Sequence, residues 1–431
     1  MNKPGQEKEK AFSSGGLKSH FILVLCTLLY MLNYMDRQVL SSVQEVMKTD
    51  LHLTDSQIGL IQTLFLMSIA AFSLPVAFLA DRWSRRKSLG IMAALWSSFT
   101  YITGLGRSFL GVLFPRIVVG VGEAGFSSVG TAMITAAYPE RVRSRVLSVF
   151  NLAIPLGSCI GVVLGGYISV HYGGWRTPFY FFAVPGFFLG AAALLLKDYK
   201  TTVEVDESGR RKKIISSPFT LFRIPTLRWF YIGYGIMHVM VISFLVWAPA
   251  FVMRSHNVHE DRAGVIVGII GLMAIIGAIL GGVLADLWQK RNNRARMLLP
   301  AIVITLSSAF LIAAFALELR GIGYVMGILY GILAVMSVPA LGAVTQDVVT
   351  PGMKSSSWGM AVLTQYLFGG GWGPVIVGTI SDWLGGGVYG LKIALIIASC
   401  GGLFAGVFFW IASKHYPRDM EKACCTNLEM E

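Results

Sequence analysis

At 431 residues, 55% hydrophobic and only 14% charged, with a mean hydropathy of +0.64, the chain is too apolar for an ordinary soluble protein. Its formal net charge of +13 comes from lysines and arginines spread in short stretches between apolar runs. No basic face is gathered for nucleic acid; this is how membrane topology is written.

The polar stretch 1–18 runs into a long apolar segment without a small-residue cleavage site, so it is read as a retained N-terminal tail rather than a signal peptide. About 20 apolar residues cross a bilayer as a helix. Twelve such helices are predicted, at 19–46, 54–80, 86–105, 108–137, 142–170, 175–197, 226–253, 261–288, 296–317, 321–348, 354–382 and 388–413. Thr54-Asp55 and Ser108 suit the heads of the second and fourth as N-caps. Pro139, Pro225 and Pro351 fall at predicted helix boundaries. The fold class is therefore an all-α membrane protein. A six-helix bundle at 19–197 and a second at 226–413 are joined by a polar linker at 198–225, and a tail comes last at 414–431.

Lysine and arginine set the orientation. The inner segments carry Arg82, Arg85, Arg86 and Lys87, then Arg141, Arg143 and Arg145, and the linker run Arg210-Arg211-Lys212-Lys213. The outer segments hold few basic residues, Lys48, Arg107 and Arg176 among them. Both termini are thus expected in the cytoplasm. The absence of Asn-x-Ser/Thr acceptors and the compact loops fit a bacterial inner membrane.

The halves echo each other. Leu79-Ala80-Asp81-Arg82 closes the second helix and Leu284-Ala285-Asp286 closes the eighth, with the aspartates 205 residues apart (81 to 286). A duplicated six-helix unit is the internal repeat of carriers whose binding site lies between halves.

Charge inside an apolar helix costs about 3 kcal/mol or more, so such residues line a path or a cavity, or neutralise one another. Asn33, Asp36 and Arg37 share one face of the first helix by i, i+3, i+4 spacing. On the fourth, Arg116, Gly120, Glu123, Ser127 and Gly130 keep to the helical period as a polar, small-residue stripe. Glu123 is the candidate proton site, with Asp36 second: burial favours the neutral acid and a neighbouring arginine favours the anion. The alternative is a permanent ion pair of Glu123 with Arg116 or Arg37 that only fastens two helices. Arg37 and Arg116 are candidate counter-charges for an anionic headgroup, since guanidinium binds phosphate or carboxylate in a planar, bidentate way. Asn33, Ser127, Tyr234, His238, Gln346 and Tyr366 complete the candidate substrate contacts, and Trp372 is a further candidate cavity aromatic.

Asp81-Arg82-Trp83-Ser84-Arg85-Arg86-Lys87 resembles the loop motif of the major facilitator superfamily, with Ala77 where a glycine usually leads. Within it, the first half is similar to the spinster family of lipid transporters. That likeness rests on Leu32-Asn33-Tyr34-Met35-Asp36-Arg37, Gly59-Leu60-Ile61-Gln62-Thr63, Gly120-Val121-Gly122-Glu123-Ala124, Arg143-Ser144-Arg145 and Ala153-Ile154-Pro155-Leu156-Gly157-Ser158. The resemblance implies alternating access, a central path lined by the first, fourth, seventh and tenth helices, and a cytoplasmic gate. The gate would comprise Asp81, Arg82, Arg85, Arg86 and Glu140, with Asp286 and Arg291 as its weaker counterpart. It also implies an amphiphilic anionic lipid as cargo, such as a lysophospholipid or a sphingoid phosphate.

No nucleotide-binding loop is found, so protons or the substrate's own gradient supply the driving force, and no cofactor or metal is expected. The five cysteines show neither metal-ligand nor disulfide-framework spacing. The rival within transport is a symporter of small organic anions. The rival of another class is a receptor or scaffold without flux; an enzyme is excluded by the lack of any catalytic set. Membrane lipids and protons are the expected partners, nucleic acid is not, and a monomer is expected.

Overall fold

The structure is a computed structural model and describes residues 16–196, 218–350 and 353–428. Among these residues there are sixteen α-helices and no strand. They are α1 (Leu17–Asp50), α2 (Asp55–Arg82), α3 (Arg85–Gly104), α4 (Phe109–Glu123), α5 (Phe126–Ala137), α6 (Glu140–Asn151), α7 (Ala153–His171) and α8 (Thr177–Ala193). After the linker come α9 (Pro225–His256), α10 (Glu260–Gln289), α11 (Ala295–Ala316), α12 (Ile322–Met336), α13 (Val338–Asp347), α14 (Lys354–Tyr366), α15 (Gly373–Trp383) and α16 (Gly387–Leu428). Short 3-10 turns occupy Pro218–Arg223 and Gly370–Trp372. The basic run Arg210–Lys213 and Pro351 lie outside the described residues.

Ten stretches are long and apolar enough to cross a membrane. Arg85–Gly104 and the apolar Thr177–Ala193 supply the other two of the twelve expected. Four expected spans are each interrupted. The span at 108–137 breaks between α4 and α5, and 142–170 breaks at Leu152 between α6 and α7. The span at 321–348 breaks at Ser337, and 354–382 breaks at the Gly370–Trp372 turn. In three of the four, a proline sits in the first turn after the break: Pro155, Pro339 and Pro374. Its ring removes one backbone donor and clashes with the turn before it, so the helix restarts there. The fourth break, at Ala124-Gly125, is a glycine-rich stretch that presses on α2: a side chain at Gly125 would strike Val76.

Helix ends carry the predicted caps. The Ser108 hydroxyl accepts from the Gly111 N–H at 3.2 Å, and Thr54 and Gln57 bond reciprocally at the head of α2. Ser84 does the same for α3 through the Lys87 N–H. Asn257, in the left-handed conformation at φ 54, stops α9.

The chain divides into two compact units. One holds residues 16–52, 64–196 and 259–268; the other holds 53–63, 218–258, 269–350 and 353–428. In the first, α7 lies directly along α1. Side chains at Gly157 or Gly161 would collide with the Met31 and Met35 backbone, and one at Gly165 with the Ser42 hydroxyl. Tyr30 stacks on Phe150 at 4.5 Å, and Trp96 meets Phe126 edge-on. Glu260, buried, accepts from Ser169 at 3.0 Å.

In the second unit, α9 is the central element and packs against α14 and α16. Phe230, Tyr231, Tyr234, Leu341, Phe409 and Tyr416 form its core. Gly369 abuts the Gly235 backbone, so the glycines on this side also serve helix packing. At the head of α2, Arg254 grips the Asp55 carboxylate through two nitrogens at 2.6 and 2.8 Å, and the Ser381 hydroxyl donates to it at 2.6 Å. Asp382 accepts from the Asp55 and Ser56 backbone N–H groups at 3.1 and 2.7 Å, closing the positive end of that helix. Asp55 and Glu260 stand 205 residues apart in sequence, the same offset as Asp81 and Asp286.

Candidate functional site

The polar residues of the first and fourth expected spans meet inside the first unit. Apolar residues surround them because each helix there offers mostly aliphatic and aromatic neighbours. Asp36 is 1% exposed, Glu123 2% and Arg116 not at all. Arg37 Nε donates to Glu123 Oε2 at 2.8 Å, and the Arg37 guanidinium lies 4.6 Å from the Tyr34 ring. Arg116 Nη1 stands 3.8 Å from Asp36 Oδ1, with its guanidinium 4.6 Å from the Phe65 ring. Two carboxylates and two guanidiniums therefore balance locally, which is how a buried charge set is tolerated.

The four are not equivalent. Arg37 keeps 12% of its side chain exposed while Glu123, Asp36 and Arg116 are sealed. Arg37 is thus the most accessible charge of the four, and Arg116 is enclosed beside Asp36. Gly120 permits this arrangement, since a side chain there would collide with the Ser68 hydroxyl of α2. Asn33 is fully buried, and neither atom of its amide finds a hydrogen-bond partner among the described residues.

The expected stripe on the fourth span holds only in part. Arg116, Gly120 and Glu123 stay together on α4; beyond the break at Ala124-Gly125, Ser127 is exposed and Gly130 packs on Phe150. Thr100 of α3 is an addition to the expected set: its hydroxyl donates to Asp36 Oδ2 at 2.7 Å. The polar run Ser97-Ser98-Thr100-Thr103 inside an apolar segment is the sequence signal that points to it. Tyr34 and Phe65, the rings beside the two guanidiniums, are likewise additions.

In the second unit, His238 is buried and its Nδ1 pairs with the Tyr234 carbonyl at 2.8 Å. The Tyr234 ring lies 4.4 Å from the His238 ring and 6.5 Å from that of Trp358. Gln346 Nε2 donates to Thr345 Oγ1 at 3.1 Å and to the Lys354 carbonyl at 3.3 Å, and Tyr366, half-buried, ends α14. The Trp372 indole donates to the Leu367 carbonyl, closing its own turn.

Of the gate residues, the side chains of Asp81 and Glu140 lie outside the described residues. Arg82 lies 3.9 Å from the Phe78 ring, Arg85 is buried and Arg86 half-buried. Asp286 pairs with Arg296 at 3.1 Å rather than with Arg291, which is exposed. The reason is position: Arg296 starts the next helix and is also held by Asp347 at 2.8 Å, which in turn accepts from the Tyr416 hydroxyl. Among the described residues no cluster suits a metal ion.

The sequence profile of the Major Facilitator Superfamily matches residues 26–374. The chain is 25% identical to "Protein spinster homolog 1" of Xenopus tropicalis, over 96% of this chain and 85% of that protein. It is 28% identical to an "MFS-type efflux pump" of Mycolicibacterium smegmatis, over 90% and 91% respectively. Its fold superposes with a TM-score of 0.83, at 21% identity and over 94% of this chain and 99% of the other, on a solved bacterial homolog of the human lysosomal transporter Spinster. A nucleoside transporter, NupG, superposes with a TM-score of 0.70 at 14% identity, over 91% and 99%. With its membrane-length helices and its buried charge cluster, the chain belongs to the Major Facilitator Superfamily and is a multi-pass membrane transporter related to spinster, not an enzyme.

Proposed function

We propose that the protein is a proton-coupled secondary transporter of an amphiphilic anionic lipid, a lysophospholipid or a sphingoid phosphate, working by alternating access. The observation that carries this reading is the bond from part-exposed Arg37 to buried Glu123. An anionic headgroup and the Glu123 carboxylate compete for the same guanidinium. A proton on Glu123 removes the competitor, so proton and anion binding assist one another. Asp36 is the second proton site, held against Arg116, and Tyr234, His238, Gln346 and Tyr366 are the contacts proposed from the second unit. Asp81, Arg82, Arg85, Arg86 and Glu140 form the proposed cytoplasmic gate, with Asp286 and Arg291 as its counterpart. The lysine and arginine distribution supports cytoplasmic termini in a bacterial inner membrane.

The test uses proteoliposomes with an imposed pH gradient and a labelled lysophospholipid. Gradient-driven uptake is expected in the wild type, and Glu123→Gln should show an altered pH dependence, keeping only the part set by Asp36. An unchanged pH dependence in that variant refutes the proton assignment. Competition by sugar acids with none by acylated ligands refutes the lipid cargo in favour of small organic anions.

A further inference from the structure

The buried carboxyls of Asp36 and Glu123 each make one hydrogen bond, and Asp36 Oδ1 also faces Arg116 Nη1 at 3.8 Å. Glu123 Oε2 is tied to a fixed cation, Arg37; Asp36 Oδ2 is tied to a neutral hydroxyl, that of Thr100. The second oxygens, Asp36 Oδ1 and Glu123 Oε1, are buried and make no hydrogen bond among the described residues. The charged and titratable groups around Asp36 are Tyr34 and Arg37 on its own helix, and Arg116 and Glu123 on α4. From α3 it meets Thr100; α2 adds the Phe65 ring behind Arg116.

The difference between the two partners matters chemically. A guanidinium has donors and no acceptor, so Arg37 suits only the Glu123 anion. A hydroxyl has one donor and two acceptor lone pairs, so it suits a carboxylate and a carboxylic acid alike. A threonine inside a helix ordinarily donates to the carbonyl four residues back, as Thr103 does to Phe99 at 2.7 Å on the same helix. Thr100 instead reaches across to α1. That choice forgoes a local bond for one to a buried acid.

We propose that Thr100 is a positioning residue of the proton site, holding Asp36 in place through both of its protonation states. While Asp36 is ionised, the Thr100 hydroxyl donates to Oδ2. When Asp36 gains a proton on that oxygen, the new acid O–H donates to Thr100 Oγ1, and the threonine hydrogen turns to the carbonyl of Trp96. No bond to carbon changes and one proton is taken up. Asp36 therefore exchanges a proton without a rotamer change, and its distance to Arg116 is kept. This inference rests on the proton-coupled reading of the same cluster.

The experiment is the pH profile of uptake into proteoliposomes for Thr100→Val, Thr100→Ser and the wild type, with folding checked by melting temperature in detergent. Thr100→Val keeps the shape and removes the hydroxyl, so the Asp36 anion loses a charge-assisted bond and the neutral acid a weaker neutral one. The pH midpoint of uptake should then rise by about 1 unit, a roughly tenfold change in proton affinity. Uptake at saturating proton concentration should stay within about twofold, and Thr100→Ser should restore the wild-type midpoint. A folded Thr100→Val with an unshifted midpoint overturns this inference alone; a wild type whose uptake ignores pH overturns the proton-coupled reading and this with it. Should Thr100→Val fail to fold, infrared difference spectra of the wild type decide the matter. The carboxylic acid band that Asp36→Asn removes must lie at the hydrogen-bonded position, and a band at the free-acid position refutes the proposal.

Discussion

Replacing Glu123 with glutamine changes one atom type and removes one negative charge beside Arg37. The bond it alters is a charge-assisted one at 2.8 Å, with the acid sealed and the arginine 12% exposed. Hydrogen bonds of that type contribute about 1.5–3 kcal/mol net. An anionic ligand that must displace Glu123 from Arg37 is opposed by that amount, or about 10- to 150-fold in affinity. Glu123→Gln should therefore bind a short-chain lysophospholipid about 10- to 150-fold tighter than the wild type at high pH. At low pH, where the wild-type acid is protonated, the two proteins should converge. The assay is titration calorimetry or tryptophan quenching on purified protein across about pH 5 to 8; the pH range is a rough bracket of carboxylate and histidine titration. Wild-type affinity should fall as pH rises while the variant stays flat. Parallel curves of equal affinity would refute the competition between ligand and Glu123.

Arg37→Ala should weaken anionic ligand binding and also lower the melting temperature, because it strands buried Glu123; adding Glu123→Gln should recover melting but not ligand affinity. Arg116→Leu should lower melting by stranding Asp36, since breaking a buried pair costs about 3–5 kcal/mol, with little change in ligand affinity. A large loss of affinity with unaltered melting in Arg116→Leu would contradict its internal role. Arg254→Ala leaves Asp55, whose side chain is fully buried, without its two nitrogen donors, so a comparable loss of thermal stability is expected. Adding Asp55→Asn should recover part of it, and strictly additive losses in the double variant would argue against the pairing. Gly161→Leu should separate α7 from α1 and abolish folding; normal expression and melting would show that the close approach of these helices is dispensable.

The number and order of membrane segments can be read from hydropathy because most of each segment is apolar and polar stretches separate them. The caps at Thr54 and Ser108 can also be read, since capping depends on a residue and its neighbours three positions on. The interruptions are hidden by the same logic. Pro155, Pro339 and Pro374 lie inside apolar runs, and a window that averages hydropathy passes over them. The pairing of Arg37 with Glu123 is one of two partners open from spacing, and only the packing of α1 against α4 decides between Arg37 and Arg116. Thr100 is marked only by the polar run it stands in, which does not say what it meets, and Asp382 not at all. The role of each is set by whichever helix comes to lie opposite. The contact of Asp286 with Arg296 is of the same kind, since Arg296 reaches it from the next helix.

One regularity in the acids bears on how much these helices can vary. Asp55 and Asp81 bracket α2, Glu260 and Asp286 bracket α10, and each pair is 26 residues apart. At a rise of about 1.5 Å per residue that is about 39 Å, close to the distance between the two headgroup layers of a bilayer. Each helix is thus a calibrated strut with an acidic residue near either end. Inserting or deleting one residue in α10 would swing Asp286 by about 100° around the axis relative to Glu260 and take it off Arg296. Length variation among relatives of this protein should consequently collect in the loops and tails, and be missing from these two struts.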